Sequence, residues 1–560
     1  MLATCLLSAG VRVTAAPVPQ KTVVKTFAKT VAGLPAAQAL ALGERMYRKG
    51  ILPSGAEMQA IVKGDNPVQG STFTCTSCHL RGGLGSSEGG VFTLPTNGAK
   101  LAQPLFLKAS KIPPENREAF GIKTLPKRPP YTDATLAAVI RTSLDPTGRE
   151  LNTVMPRYAL TDREMEILIH YLRNLSVKLS PGASAKLIHF ATVITDEVRP
   201  EDREAMLLPL ENFILEHNRR AGNFDTKMYV FGNGPEMMLS YRMLSLDRWE
   251  LKGPRSTWRR QLEAYQRKKP AFALLGGISY GSWQPIHDFS EAFQIPSLFP
   301  ITDYPVISNS DWYTVYLSKG LQQEGQAAAR YLKGALPEGK IVQVVRDVPE
   351  GRALAAGFQE TWSELEGNPF KTVLLPAKAK LNQASLQALL QAEKAAALVL
   401  WTGPDAFPAL AGLAGSPAAP RFVFMSSSYL KQSLAQLPEP ARGFTYVTYP
   451  YRHPDEEGKY SPLVNHLLAG YTTYHPETRI STRMYTLTQV LTTALMDMEQ
   501  NLYRDTFLDV IGMQRDQNLP DYERISFGPG QRYASKGCYI MQLSDGPKPK
   551  LIKKSGWVSY

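Results

Sequence analysis

The chain has 560 residues, with 63 Lys and Arg against 50 Asp and Glu, giving a formal net charge of +13. That length suits two to four domains and is too long for one simple core. No stretch reaches about 18 consecutive apolar residues, so no membrane-spanning helix is expected after the start.

The positive charge is concentrated near the start. Residues 1–180 hold 22 basic and 12 acidic side chains, a net +10, and the rest holds 41 and 38, a net +3. Such an excess steers a domain towards an acidic partner. A nucleic-acid partner fits less well, because the charges are dispersed and the chain has an export signal. Residues 1–16 (MLATCLLSAGVRVTAA) read as the apolar part of a signal peptide with a small-residue end. The basic region that should precede it is missing, so Met1 reads as a late start. Pro17 places the last signal residue at Ala15. Leu2-Ala3-Thr4-Cys5 is only a faint lipoprotein box. The expected location is the periplasm.

A first helix is expected over Ala37–Lys49, with Leu40, Leu42, Met46, Tyr47 and a small Gly43. Then comes Cys75-Thr76-Ser77-Cys78-His79, the C-x-x-C-H attachment signature of a c-type haem. Each thiol can add to one vinyl group, and His79 is placed to bind the iron. A redox dithiol should follow a strand, and the flanks do not read that way. A tetrahedral zinc site needs a second ligand pair, and no second C-x-x-C exists among Cys5, Cys75, Cys78 and Cys538. The stretch that follows contains Lys111-Ile112-Pro113-Pro114 and Lys127-Arg128-Pro129-Pro130. It reads as an irregular wrap with one helix, Asp133–Thr142.

Met155-Pro156-Arg157-Tyr158 supplies a thioether that suits a haem iron. Thr161 and Glu164 form a capping box for a helix carrying Ile167, Leu168, Tyr171 and Leu172. The competing reading of Met155 is a core methionine, with Met46 and Met58 as rival ligands. Arg149 and Arg157 flank the methionine, and either is a propionate partner or a solvated cation. Two axial ligands, His79 and Met155, leave no open iron site, which argues against a haem enzyme.

The run Met155 to Glu164 closely resembles the axial-ligand loop and terminal helix of the class I cytochromes c. That resemblance implies an all-α domain over 34–176 with one covalent haem c, in which Gly43 and Tyr47 face Leu168 and Tyr171. It also implies one-electron transfer to or from a redox partner.

Residues 177–185 read as a linker. Beyond them, short apolar runs alternate with amphipathic helices, the pattern of an α/β fold with a parallel sheet. Strands are expected at Leu187–Val193, Lys227–Phe231, Phe272–Gly277 and Ile295–Pro300. Helices are expected at Pro200–Ala221, Trp258–Gln266 and Pro285–Phe293. The scheme repeats: helix Glu324–Leu332, strand Lys340–Val345, helix Gly351–Leu365, strand Lys371–Leu375, helix Leu386–Glu393, and strands Ala397–Trp401 and Arg421–Met425. Cys538 lies in a β-like run, Gly537–Leu543, as a buried thiol.

The block from Ala273 to Pro305, the helix near Glu324 and the run from Lys340 to Trp362 resemble the type I periplasmic binding proteins, nearest the Leu/Ile/Val receptors. The resemblance covers 186–560. It implies a two-lobed α/β domain, with 186–303 and 449–515 in one lobe and 304–448 and 516–560 in the other. It places a ligand between the lobes at strand C-termini. Ser279 and Ser282 in the first turn, then Asp303, Trp401, Asp405 and Ser427, are the candidate ligand residues, with Trp283 and Trp401 as an aromatic wall. The alternative is that these are structural loop residues. Tyr280, Trp283 and Gln284 crowd the first turn, which disfavours an α-amino acid.

The histidines, His170, His189, His217, His287, His453, His466 and His475, show no metal-ligand spacing, and His287 beside Asp288 reads as a local pair. No hydrolase, metalloprotease or P-loop motif is present. The leading expectation is an exported mono-haem electron carrier, not an enzyme, joined to a solute-binding or docking domain. By analogy with fused receptors that accompany quinoprotein dehydrogenases, its redox partner is such an enzyme or another cytochrome, with an acidic docking face. The alternatives are an ABC-transporter solute receptor and a ligand or redox sensor.

Overall fold

A computed structural model of the chain describes residues 30–88, 91–106, 127–224, 242–457, 459, 479–528 and 530–559. The signal-peptide segment, the Lys111–Pro114 run, the strand expected at Lys227–Phe231, His466 and His475 lie outside them. No described helix is long and apolar enough to cross a membrane. The described residues form two compact units, one drawn from 1–74 and 131–173, the other from 75–130 and 174–560.

In the first unit, α1 (Ala36–Lys49) ends at Gly50, whose left-handed φ of 65° returns its amide to Met46 O. Helix α2 covers Asp133–Thr142 and α3 covers Asp162–Asn174. The expected capping box starts α3: the Thr161 amide donates to Glu164 Oε2 (2.9 Å), and the Glu164 amide donates to Thr161 Oγ1 (3.3 Å). α1 meets α3 at Gly43, where an added Cβ would stand 2.5 Å from Tyr171 Cβ. The Tyr47 and Tyr171 rings lie 5.4 Å apart.

The unit is nevertheless not all-α. Strands β1 (Gln59–Val62), β2 (Asn66–Gln69) and β3 (Arg157–Tyr158) form an antiparallel sheet in the order β2-β1-β3. Gly64 (φ 82°) and Asp65 (φ 58°) make the β1–β2 turn, using the left-handed conformations such hairpins require. The all-α expectation is therefore corrected, and the sheet takes in the residues directly after Met155.

The second unit holds two sheets. The first runs β5-β4-β6-β7-β8, all parallel: β4 Leu187–Thr195, β5 Met243–Leu251, β6 Ala273–Leu275, β7 Ser297–Leu298 and β8 Thr314–Val315. Helices α4 (Pro200–Phe224), α5 (Trp258–Lys268) and α6 (Gln284–Phe293) connect its strands or precede them. The second sheet begins after α7 (Leu321–Ala335) and contains β9 (Ile341–Arg346). After α8 (Pro349–Glu364) come β10 (Lys371–Leu375), α9 (Gln383–Glu393), β11 (Ala397–Trp401), β12 (Phe422–Ser426) and β13 (Thr445–Tyr449). Two further helices, α10 (Ile480–Met498) and α11 (Arg504–Gly512), pack on the first sheet's core. Strands β14 (Gly537–Leu543), β15 (Leu551–Lys553) and β16 (Val558–Ser559) then add antiparallel pairs to the second sheet. The strands Ile341–Arg346 and Ala397–Trp401 are buried at every position; the second reads as an unbroken apolar run, and the first is apolar except for Gln343 and Arg346.

Two expected boundaries move. Thr314–Val315 pairs with the first sheet, and Leu519, Tyr522, Ile525 and Ala534 join the first sheet's core rather than the second lobe. The Tyr316 amide donates to Arg532 O (2.7 Å), and the Ala534 amide donates to Tyr316 O (3.0 Å), tying the two segments together. The expected domain 34–176 is also divided, because 75–130 packs with the second unit. The Gly82 amide donates to Asp509 Oδ2 (2.6 Å), and the Ser176 hydroxyl donates to Gly82 O (2.9 Å). The Arg81 and Arg532 guanidinium groups lie 4.2 and 4.3 Å from the Trp312 ring centre.

Candidate functional site

A cleft opens between the two lobes of the second unit. Pro300, Thr302 and Asp303 follow β7, and Tyr316, Leu317 and Ser318 follow β8. Ser428 follows β12, Pro450 and Tyr451 follow β13, and Arg483 on α10, Tyr522 and Pro305 are also in the lining. Loops at the C-terminal ends of parallel strands thus face one another across the cleft, the place where open α/β sheets bind ligands.

The charges in and behind this cleft are arranged in steps. Arg479 pairs with Glu457, donates to Tyr449 OH (2.9 Å) and stands 3.7 Å from Asp521 Oδ1. Burial pushes the Asp521 carboxyl up to about 6, against the pull of Arg479 and the Thr482 hydroxyl. Arg483 donates to Tyr451 OH (3.0 Å), and its Nε is buried with no hydrogen-bond partner. Burial opposes its charge, but Tyr522, Tyr451, Asp521 and Asp303 outweigh that and hold it charged. Across the mouth, Asp303 meets Lys431 at 3.4 Å, both side chains well exposed.

Beneath Ser428 lies Glu324 on α7, 0% exposed, accepting from Thr448 Oγ1 at 2.7 Å. Burial pushes its carboxyl up to about 7, although the Ser428, Thr448 and Ser426 hydroxyls favour the charged form.

Of the seven ligand residues expected from sequence, Asp303 is in the lining. Ser279 is buried and donates to Glu197 Oε1 (2.9 Å), and Ser282 Oγ accepts the Gln284 amide (3.2 Å) at the start of α6. Trp283 and Trp401 are each 0% exposed, in different cores, so they are packing residues and not an aromatic wall. The Trp283 ring fills the space beside Gly277, where an added Cβ would stand 2.7 Å from it. Asp405 is held by Arg346, and Ser427 is buried one residue short of the lining Ser428. Beside the expected Asp303 and Ser427, the lining takes Thr302 and Ser428. Arg483, Tyr451, Tyr522 and Tyr316 were missed. The run Tyr449-Pro450-Tyr451, ending an apolar strand, was the available signal.

The C-x-x-C-H segment forms one helical turn, Cys75–His79, with both cysteines and the histidine half-buried. His79 Nδ1 lies 2.9 Å from Leu94 O, and burial lowers its pKa against that hydrogen bond. Burial and Glu88 raise the Cys78 pKa. Met155 belongs to the first unit, half-buried, its amide donating to Asn152 O (2.9 Å). Arg149 pairs with Asp145 at 3.0 Å and Arg157 with Asp65, so both expected propionate partners are engaged by carboxylates of their own unit. His287 bonds Asp311 (2.9 Å) and Tyr316 OH (3.0 Å), while Asp288 takes Gln284, so the expected His287–Asp288 pair does not form. Cys538 is a fully buried thiol. Among the described residues no group of three or more His, Cys, Asp or Glu converges as a metal ion would need.

Comparison with known proteins places this cleft in context. The family described as periplasmic binding protein matches residues 258–547, just over half of the chain. Solved structures with a similar fold include a branched-chain amino acid ABC transporter protein from Rhodospirillum rubrum, at 14% identity and TM-score 0.49, covering 66% of this chain and 100% of that one. An ABC transporter substrate-binding protein from Sphaerobacter thermophilus is similar at 15% identity and TM-score 0.48, covering 67% and 98%. A solute-binding protein from R. palustris in complex with benzoate is similar at 13% identity and TM-score 0.46, covering 66% and 96%. No curated protein matches the chain. The family match contains all of the cleft lining and supports the receptor alternative. It overturns the leading expectation: the electron-carrier role, the cytochrome c assignment and the redox partner are replaced by solute binding.

Proposed function

Because the chain belongs to the periplasmic binding protein family, we propose that it is an exported solute receptor of the ABC-transporter type, and not an enzyme. It takes one small molecule into the cleft between the lobes. The observation that carries this reading is the meeting of loops from both sheets, Thr302 and Asp303 on one side and Ser428 on the other, around Tyr451 and Arg483. A solute held by both lobes favours their closed arrangement by its differential affinity for it. A thermal-shift screen of the full chain against small carboxylates, alcohols, sugars and amino acids tests the reading. A solute at about 100 times its dissociation constant adds about 2.7 kcal/mol of stability. Failure of every solute to raise the melting temperature would count against a receptor.

We propose separately that Cys75 and Cys78 attach one haem c, with His79 as an iron ligand, and assign it no electron-transfer role. The supporting observation is the His79 Nδ1 contact with Leu94 O, which directs Nε2 to be the nitrogen with a free lone pair. A haem so held supplies an iron centre beside the Cys75–His79 turn. Intact-mass measurement of the exported protein should show one haem added and lost in Cys75→Ala/Cys78→Ala. An unmodified mass would end this proposal.

A further inference from the structure

Arg483 is the guanidinium in the cleft lining, and its surroundings leave it uncommitted. One N–H of Nη2 goes to Tyr451 OH at 3.0 Å, and Nε is buried without a partner. No described carboxylate lies within ion-pair distance of it. The neighbouring acids make their closest contacts elsewhere: Glu457 with Arg479, Asp521 Oδ1 with the Thr482 hydroxyl and Arg479 while its buried Oδ2 has no hydrogen-bond partner, and Asp303 with Lys431. A buried guanidinium with unsatisfied donors is costly until an anion completes it. Its planar fork matches a carboxylate.

The rest of the lining says what the anion is attached to. The Tyr451 and Tyr522 rings lie 5.9 Å apart, tilted by 47°, with Pro300, Pro305 and Pro450 nearby. Flat rings and prolines make apolar walls that suit a compact, planar or short-chain body. The lining contains a single acid, Asp303, and Lys431 holds it. An ammonium group entering the cleft would have to break that pair, so a zwitterion is disfavoured.

We infer that Arg483 is the anchor for the ligand's carboxylate, and that the ligand is a small monocarboxylate with an apolar, planar or short-chain body and no ammonium group. This rests on the receptor reading and adds the chemical class of its ligand.

Calorimetric titration of the full chain tests it. The probes are aromatic and short aliphatic monocarboxylates, each beside its neutral amide, with leucine as a zwitterion. At least one carboxylate should bind, and its amide should bind roughly 30-fold more weakly, as expected for losing a hydrogen-bonded charge pair. Arg483→Gln should weaken the carboxylate by a similar factor and leave the amide unchanged, while Arg483→Lys should restore part of the loss. Tyr451→Phe keeps the charge but frees the guanidinium, and should cost the carboxylate several-fold. It serves as the second variant if Arg483→Gln does not fold. Equal binding of carboxylate and amide, or of wild type and Arg483→Gln, would overturn the inference. A neutral solute found in the stability screen, bound regardless of Arg483, would overturn it and leave the receptor reading intact. Silence from all probes and all screened solutes would remove both.

Discussion

Replacing Glu324 by Gln should change how stability responds to pH, in a way the structure fixes in sign and size. Glu324 is 0% exposed and sits beneath Ser428, against Thr448 and the buried Cys538. Its carboxyl is carried from the ordinary 4.5 to about 7, chiefly by burial. A carboxyl whose folded pKa is raised binds its proton more tightly in the native state. Stability is therefore fullest at low pH and is lost between about 4.5 and 7. The loss reaches ~3 kcal/mol above about pH 7. The amide of the Glu324→Gln variant mimics the protonated form and carries no such loss. Urea unfolding of both proteins from about pH 4.5 to 8 should give nearly equal stabilities at the acid end. Glu324→Gln should then gain roughly 2–3 kcal/mol over wild type by about pH 8. Parallel stability curves across that range would refute the assignment of a buried, proton-holding carboxyl. Asp509 and Asp521 also have raised pKa values, so the difference between the two proteins is the quantity to read.

Trp283→Ala and Trp401→Ala should each cost about 3–5 kcal/mol of stability, while leaving the affinity of any cleft ligand within a few-fold in whatever protein remains folded. A large affinity loss with unchanged melting would return them to the ligand wall. Gly43→Val should destabilise the first unit by ~2 kcal/mol, because a side chain there meets Tyr171 Cβ and Ile167 O at 2.5 and 2.7 Å. Urea denaturation followed by circular dichroism reads the change. Arg504→Met should cost at least ~3 kcal/mol, since the guanidinium donates to the carbonyls of Phe272 (2.9 Å), Phe293 and Gln294 (both 3.2 Å), and its loss leaves them unpaired. A melting temperature equal to wild type would contradict that.

Short apolar runs were easy to read as strands, whether uniformly buried, as at Ala397–Trp401 and Gly537–Leu543, or largely exposed, as at Lys371–Leu375. Lys371–Leu375, Ala397–Trp401 and Gly537–Leu543 appear as strands with the expected limits. Met243–Leu251 was missed because it is an edge strand whose alternate positions are Ser245, Asp247 and Trp249 against Leu244, Leu246 and Arg248, so no clean apolar run survives. Gln59–Val62 and Asn66–Gln69 were missed because four-residue strands give little periodicity, although Gly64-Asp65 marks their turn. The ligand side was legible only as far as loop position. Strand ends pointed to Asp303 and Ser427, next to the lining Thr302 and Ser428, but nothing local distinguishes them from Trp283 or Trp401, whose rings turn into the core. Arg483 lies on a helix that reads as apolar packing, and its role depends on Tyr451 and Tyr522, which stand far from it in sequence on either side. The C-x-x-C-H motif drew the functional reading to residues 75–79, which belong to the larger unit but lie outside the cleft lining.

The most direct test of the receptor account is to block the cleft. Ser428→Trp places a bulky ring on the second lobe's side of the lining, at a half-buried position in the short helix Ser427–Leu430. The best solute from the stability screen is titrated calorimetrically into wild type and Ser428→Trp, with the unliganded melting temperatures compared as a control. The account predicts that binding is lost by at least about 100-fold, or roughly 2.7 kcal/mol, while Ser428→Ala, which removes the same hydroxyl from Glu324 without filling the cleft, matches the unliganded melting temperature of Ser428→Trp and keeps binding. An unaltered dissociation constant in Ser428→Trp would contradict a ligand site between the lobes.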